Sequence, residues 1–169
     1  MRTACGTWIR ETYDDQGVLI AAGAWSSSLR THLPVTTPVR GHLIAYNTGR
    51  AMLGSIGSIL RHAGTYLLQR RDGPLVAGAS TEYVGFDRAI DQEAVDEIHS
   101  RASRVLPALA ASAPAECWNG FRPRIEGGIP AVGRLQGTRI WTAFGHYRNG
   151  ILLAPETARI IAESVAREL

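Results

Sequence analysis

Residues 65–80 read TYLLQRRDGPLVAGAS, with two short runs of strand-forming residues on either side of Asp72-Gly73. An Asp-Gly pair between apolar runs is a strong hairpin signal, because both residue types tolerate the positive φ that a tight turn needs. The sequence therefore predicts two antiparallel strands joined by a tight turn. A hairpin of this kind in a chain that also contains helical patterns favours an α+β fold.

The residues before this hairpin predict further strands. Residues 18–23 read VLIAAG, an apolar run without alternation, which is typical of a strand buried on both faces of a parallel sheet. Residues 7–13 predict a strand, and residues 34–47 predict extended chain followed by a strand. Residues 48–63 contain three glycines and predict a loop with a short helical turn.

The residues after the hairpin predict a helix, more strands and a final helix. Residues 82–97 are rich in acids and open the first helix, with Asp91 as its N-cap. Residues 115–124 and 139–144 predict strands. Apolar residues recur at helical spacing in the first helix (Val95, Ile98, Ala102, Val105, Leu109) and in a final helix from about residue 150 (Ala158, Ile161, Ala162, Val165, Leu169).

Composition excludes several classes of protein. The chain has 169 residues, 45% of them hydrophobic, and its net charge is +3 from 18 basic residues, all arginine, and 15 acidic ones. The arginines are scattered, so no nucleic-acid partner is expected. The two cysteines and five histidines show no ligand spacing, so no metal site is expected. Without a long apolar run or a signal peptide, the chain is expected to be soluble and cytoplasmic, with no membrane partner.

Three segments carry a resemblance to a known family: residues 18–26; residues 118–123 with 128–130; and residues 145–155, which read GHYRNGILLAP and are the most specific. Together with residues 66–82, they resemble the FAD-dependent amino-acid oxidases, which include D-amino-acid oxidase, sarcosine oxidase and the glycine oxidase of thiamine synthesis. The resemblance covers nearly the whole chain and is closest to the glycine oxidase branch.

The resemblance implies a division into three segments. Residues 1–30 would be the residual carboxyl-terminal part of an FAD-binding, Rossmann-like domain, and residues 31–125 a substrate-binding domain with a mostly antiparallel sheet and flanking helices. Residues 126–169 would return to the FAD-binding domain with a flavin loop and a final helix. The GxGxxG turn that holds the ADP half of FAD does not occur in the sequence, so the chain is expected to be roughly the carboxyl-terminal half of an oxidase.

The resemblance also implies the site residues. Arg122 matches the arginine that binds the substrate carboxylate, and Tyr66 matches a tyrosine that faces the substrate. Arg148 either borders this pocket or holds the flavin loop in place, and Thr81 matches a pocket wall. From residue chemistry alone, a strand arginine is more often a surface residue, and a strand tyrosine is more often half-buried packing.

The cofactor implied is FAD. Glycines and the start of the final helix near Asn149 would let backbone N–H groups approach the flavin. His146 is expected to be structural rather than a general base. The residues implied in cofactor binding are Ala22, Gly23, Trp25, Gly145, His146, Tyr147, Arg148, Asn149, Gly150, Ile151 and Leu152.

One departure from the family pattern bears on the substrate. Asn119 stands where alanine is usual in the family. Its side chain is expected to alter the flavin or the pocket edge, so that the substrate differs from glycine.

The leading hypothesis is an FAD-dependent oxidoreductase that oxidises the CH–NH bond of a small amino acid; oxidase and dehydrogenase remain open. Because the chain lacks the nucleotide-binding unit, it is expected to be inactive in isolation. The alternatives are a non-catalytic folded remnant that associates with itself as a homo-oligomer, or half of a split flavoenzyme. In the second case a partner chain would carry the nucleotide-binding half.

Overall fold

The computed structural model describes residues 17–29, 32–47, 59–69 and 73–168. The predicted strand at 7–13, most of the predicted loop at 48–63 and the turn residue Asp72 lie outside these ranges. The strands are β1 (Val18–Ile20), β2 (Thr36–Tyr46), β3 (Ile59–His62), β4 (Thr65–Gln69), β5 (Leu75–Gly78), β6 (Glu116–Ile125), β7 (Ala131–Arg134) and β8 (Ile140–Phe144). The helices are α1 (Gln92–Val105), α2 (Gly150–Ala166) and two 3-10 helices, Gly23–Leu29 and Pro107–Ala111.

The larger sheet has five strands in the order β3-β4-β5-β2-β6, and all its neighbours are antiparallel. β4 and β5 form the predicted hairpin, with Tyr66 opposite Gly78. The long strand β2 lies between β5 and β6, so it connects the hairpin to the strand that carries Arg122. Residues 59–62, which were expected in a loop, form β3, because Leu60 packs beside the buried core across from Leu67.

One face of the larger sheet is covered by α1. Ile44, Leu67 and Leu75 from the strands pack against Ile98 and Ala102 of the helix, and all five are buried. The predicted N-cap is confirmed, because the carboxylate of Asp91 accepts hydrogen bonds from two N–H groups of the first turn. Since side chains alternate between faces along a strand, the neighbours of these core residues point to the opposite face.

The smaller sheet has three strands in the order β1-β8-β7. β1 runs parallel to β8, as the apolar run predicted. The expectation that this strand is buried on both faces is wrong: Val18 is 45% and Leu19 is 50% exposed, and only Ile20 is buried. β1 is an edge strand of this sheet, and in the described part of the chain no element covers those two side chains.

Helix α2 packs on the smaller sheet along a stripe that matches the predicted one only in part, at Ile161 and Val165. Ile161 is buried, and the indole N–H of Trp141 in β8 donates to the hydroxyl of Ser164 at 2.9 Å. Ala158 and Ala162, expected on the packed side, are exposed. Neither α-helix in the described ranges combines the length and the apolar composition that crossing a bilayer requires.

Candidate active site

An open cleft of about 790 Å³ lies over the face of the larger sheet that α1 does not cover. The β3-β4 hairpin, the segment after β5, strand β6 and the start of α2 all contribute to it. Three residues that the resemblance placed at the substrate, Tyr66, Arg122 and Arg148, line this cleft together. Thr81, the expected pocket wall, lines it as well.

Arg122 crosses from β6 over the backbone of Gly41 in the neighbouring strand β2. A Cβ atom at position 41 would overlap the guanidinium, so a glycine is needed there for this side-chain position. One guanidinium nitrogen, Nη1, donates to the carbonyl of Ser80 at 3.2 Å. Within the described residues no carboxylate pairs with Arg122, so its remaining donors are available to an acid in the cleft.

The electrostatic environment of Arg122 favours an anionic ligand. Burial, and then the positive charge of Arg148, lower the pKa of the Arg122 guanidinium. An arginine keeps its proton in spite of such a shift, so a half-buried positive charge remains beside a second one. A carboxylate that enters the cleft relieves both the burial cost and the repulsion.

Tyr66 faces the cleft because its strand partner has no side chain. Directly opposite it in β5 is Gly78, and a Cβ atom there would lie 3.0 Å from the Tyr66 hydroxyl oxygen and would overlap Leu43. The phenol therefore lies over the middle of the sheet, on the same face as Arg122. Its hydroxyl can donate to an anion bound there.

Arg148 links the loop before α2 to the segment that follows β5. Its Nη2 donates to the hydroxyl of Thr81 at 2.9 Å, and its guanidinium lies 5.3 Å from the centre of the Tyr147 ring. Arg148 therefore borders the cleft and also connects the loop before α2 to Thr81.

The loop that precedes α2 is attached to β6. Gly145 has a φ of +88° and Tyr147 a φ of +52°, and the N–H of Tyr147 donates to the carbonyl of Pro123 at 3.0 Å. The carbonyl that holds the loop thus belongs to the residue next to Arg122. His146 is bonded to the hydroxyl of Thr157 at 2.9 Å, which supports the structural role expected for it.

The start of α2 has the features that a flavin site needs. Asn149 is the N-cap but makes no capping hydrogen bond with its side chain, and Asn149, Gly150 and Ile151 line the cleft. N–H groups of the first turn, at the positive end of the helix dipole, therefore face it. Ile151 is 95% and Leu152 77% exposed, so apolar surface lies beside these donors. Uncapped donors next to apolar surface fit the polar edge and the apolar ring of a flavin.

Six of the residues implied in cofactor binding do not line the cleft: Ala22, Gly23, Trp25, Gly145, His146 and Leu152. Trp25 stacks on Phe86, with ring centres 5.1 Å apart, and lies edge-on to Phe121. The structure therefore places Trp25 in an aromatic cluster.

Asn119 does not reach the pocket edge as expected. In β6 it alternates with Gly120, so its side chain points to the face opposite that of the cleft. There its amide donates to the carbonyls of Arg88 and Ala89 at 3.1 and 3.3 Å. An argument about the substrate cannot rest on this residue.

A buried polar cluster that the sequence did not predict lies directly behind Arg122. Glu82 accepts hydrogen bonds from Arg40, at 2.7 Å from Nε, and from the Nδ1–H of His42 at 2.7 Å. His42 carries its proton on Nδ1, because its Nε2 accepts from the backbone N–H of Asp91 at 3.2 Å. Ser80 joins this cluster to the cleft: its hydroxyl donates to Glu82, and its carbonyl accepts from Arg122.

Two further residues at the mouth of the cleft were also missed, Arg61 and His62 of β3. Arg61 lies directly opposite Tyr66 in the register of β3 and β4, so the two side chains share a face. Recognising that β3 pairs with β4 would have placed Arg61 beside Tyr66. The sequence predicts a loop over residues 48–63 instead, and residues in a loop are not assigned to either face of a sheet.

The Gly41→Ala substitution is expected to lower the affinity of the cleft for a monocarboxylate such as acetate at least fivefold. The added methyl group occupies the place of the Arg122 guanidinium, so that side chain must leave its position. Binding can be followed by NMR titration of the purified chain.

Gly120→Ala is the matched control for this substitution. Gly120 pairs with Gly41 across the two strands, and no atom lies within 4 Å of a Cβ built there. If both variants bind acetate as the wild type does, the position of Arg122 over Gly41 does not matter for acid binding.

The fold and the cleft together define a class of protein. An antiparallel sheet that presents arginine and tyrosine to a cleft, closed at one end by an uncapped helix terminus, suits a flavoprotein that acts on an organic acid. The chain belongs to the FAD-dependent oxidoreductase family, whose sequence model matches residues 2–164. This family is dependent on FAD, as the resemblance implied, and the predicted α+β fold class is confirmed by the solved structures that match.

Sequence similarity to individual proteins indicates which branch of the family the chain resembles. The chain is 38% identical to the glycine oxidase of Pseudomonas aeruginosa, over 86% of this chain and 40% of that protein. It is 35% identical to the bifunctional protein ThiO/ThiG of Synechocystis, over 91% of this chain and 24% of that protein. The chain thus spans at most about two fifths of the length of these two relatives.

Solved structures give the same result. The crystal structure of glycine oxidase from Geobacillus kaustophilus matches with a TM-score of 0.79 and 31% identity, over 89% of this chain and 41% of that one. Iminodiacetate oxidase from Chelativorans sp. BNC1 matches with a TM-score of 0.80 and 25% identity, over 91% of this chain and 43% of that one.

Proposed function

We propose that this chain supplies the substrate cleft and the flavin-facing helix terminus of an oxidoreductase that oxidises the CH–NH bond of a small amino acid. The observation that carries the proposal is Arg122, a half-buried guanidinium without a carboxylate partner in the described residues, on the same sheet face as Tyr66. The similarity to glycine oxidases supports it.

The residues of the chain would bind and orient the substrate. Arg122 forms a charge-assisted, two-pronged contact with the substrate carboxylate, and Tyr66 donates a further hydrogen bond to it. Two contacts on one carboxylate fix the direction of the adjacent carbon–nitrogen bond, and fixed orientation lowers the barrier to reaction. Arg148, tethered to Thr81, keeps the loop before α2 in place beside the substrate.

FAD would be held by the loop and the first turn of α2, residues 145–152, with Ala22, Gly23 and Trp25 on its ribose or phosphate side. When bound, FAD supplies the acceptor for a hydride from the substrate carbon. The uncapped N–H groups at Gly150 and Ile151 face the region where negative charge accumulates on reduction, and the helix dipole stabilises such charge.

We further propose that residues 1–30 and 126–169 belong with an FAD-binding domain and residues 31–125 with a substrate domain. The pairing of β1 with β8 in a sheet separate from the larger one supports this division. Exposed apolar side chains on β1 and at the start of α2 (Val18, Leu19, Ile151 and Leu152) suit contact with a nucleotide-binding unit or a second copy of the chain.

The test is a chimaera in which this chain is joined to the part of Pseudomonas aeruginosa glycine oxidase that it does not span. We expect the purified chimaera to retain yellow FAD after desalting and to consume a small amino acid, with hydrogen peroxide measured when oxygen is the acceptor. A chimaera that folds and retains FAD but oxidises none of glycine, sarcosine and D-alanine, with oxygen or an artificial dye as acceptor, would contradict the proposal. That result would favour the alternative of a non-catalytic remnant.

A further inference from the structure

The cleft has an unusual charge balance. Three arginines and one histidine line it (Arg61, His62, Arg122 and Arg148), and none of the described residues that line it is acidic. Among the described residues, none of the three arginines forms an ion pair with a carboxylate. Outside the cleft, Arg40, Arg134 and Arg159 form such pairs, whereas the exposed Arg104 and Arg124 form none among the described residues. The cleft is distinguished by three arginines without a carboxylate partner that line one shared space.

These arginines occupy two ends of the cleft. Arg122 and Arg148 lie at one end, since their charges are close enough for Arg148 to shift the pKa of Arg122. Arg61 lies on β3, the edge strand at the other end of the sheet. Three strand spacings, roughly 14 Å, separate β3 from β2, over which the Arg122 guanidinium lies.

The side chain of Arg61 is directed over the cleft by the register of the sheet. Leu60 faces the core beside α1, so its neighbour Arg61 faces the opposite side. Its cross-strand partner there is Tyr66. A long arginine side chain on this edge can lean inward above Tyr66, toward a ligand whose first acid group is held by Arg122.

We infer that the ligand of this cleft is an amino acid with a second carboxylate, with one acid group bound by Arg122 and the other by Arg61. This inference rests on the proposed function, and it specifies the substrate class of that same site. A neutral side chain would leave the positive end at β3 uncompensated, whereas a dicarboxylate matches the charge at both ends. An arginine fork favours a carboxylate over an amide at the distal position.

The test compares succinate with its monoamide, succinamate, which has nearly the same size and one charge less. Binding of each to the purified 169-residue chain is measured by NMR titration at low ionic strength. We expect succinate to bind at least tenfold more tightly than succinamate. In the Arg61→Gln variant the two affinities should become equal within twofold, because succinate loses affinity while succinamate keeps its own.

Arg104→Gln is the matched control. Arg104 is exposed on α1, on the other side of the sheet, so this variant removes the same charge without altering the cleft. The Arg104→Gln variant should keep the preference for succinate over succinamate. If Arg61→Gln and Arg104→Gln lose this preference equally, the preference reflects the overall charge of the chain, and the inference is overturned.

Two other outcomes distinguish the inference from the function on which it rests. Equal affinity of the wild type for succinate and succinamate overturns the second carboxylate site but leaves the proposed function intact. If neither acid binds, both the inference and the carboxylate-binding role of the cleft are overturned.

Discussion

Replacing Arg122 with leucine is expected to raise the KM for the amino-acid substrate of the flavin-loaded chimaera a hundredfold or more. A hydrogen bond between charged groups contributes about 1.5–3 kcal/mol, and the two-pronged contact provides two of them. A loss of about 3 kcal/mol corresponds to roughly a hundredfold in affinity. FAD should stay bound, because Arg122 lies on the substrate side of the cleft; initial rates and flavin absorbance measure the two effects separately.

Arg124→Leu is the control for this variant. Arg124 is on the same strand, two residues further along, but it is exposed and does not line the cleft. The KM of the chimaera that carries Arg124→Leu should remain within twofold of the KM of the unsubstituted chimaera. An unchanged KM in Arg122→Leu, with FAD retained, would remove Arg122 from the role of carboxylate ligand.

Glu82→Gln is expected to lower the free energy of unfolding of the chain by about 3 kcal/mol at pH 7, the cost typical of removing one partner from a buried ion pair. Glu82 lies between Arg40, which is 3% exposed, and the fully buried His42. Glutamine leaves the Arg40 charge without its main partner and cannot accept all the hydrogen bonds that the carboxylate accepts. Denaturant unfolding followed by circular dichroism measures the change.

The same variant should change the response to acid. Burial alone would raise the pKa of Glu82, but hydrogen bonds from Ser80, His42 and Arg40 outweigh it and hold the pKa below its usual value. A lowered pKa contributes stability that is complete above the unfolded pKa, about 4.3, and is lost as the pH falls through the folded pKa. Wild-type stability should therefore decline below about pH 4.3, and this part of the decline should be absent in Glu82→Gln.

Glu156→Gln provides the comparison for the buried cluster. Glu156 is also paired with an arginine, Arg159, but both side chains are more than half exposed. Water and salt screen such pairs, so the unfolding midpoint should not move measurably. If the two glutamine variants unfold alike, the cluster behind Arg122 does not stabilise the fold.

The parts of the fold that local chemistry determines could be predicted. The Asp-Gly turn signal located the β4-β5 hairpin, and Asp91 located the start of α1, because in each case the residues that decide the structure are neighbours in sequence. The exposure of Val18 and Leu19 could not be predicted in this way. An apolar run indicates that the side chains of a strand can be buried. Whether they are buried depends on whether the strand lies at the centre or at the edge of its sheet.

The site residues also divide into those that the sequence could predict and those that it could not. The resemblance implied Tyr66, Arg122 and Arg148, and the structure brings these three together in one cleft. Arg61 depends on the pairing of β3 with β4, and the cluster around Glu82 depends on contacts between β2 and the segment after β5. The contacts around Glu82 join residues about 40 positions apart, and no local pattern in the sequence encodes them, whereas Arg61 and Tyr66 are only five positions apart and Arg61 is missed because the residues before β4 predict a loop.

The end of strand β6 fixes the spacing between the larger sheet, the loop before α2 and the smaller sheet. Arg122 lies over the larger sheet, the Pro123 carbonyl holds the loop before α2, and Ile125 packs in the core of the smaller sheet. Four consecutive residues thus fix the position of Arg122 relative to the loop before α2 and to the smaller sheet. Because side chains alternate along a strand, one inserted residue here would turn either Arg122 or Ile125 to the wrong face. Homologues can therefore vary in the length of their hairpins, but in this short segment they can vary only by substitution.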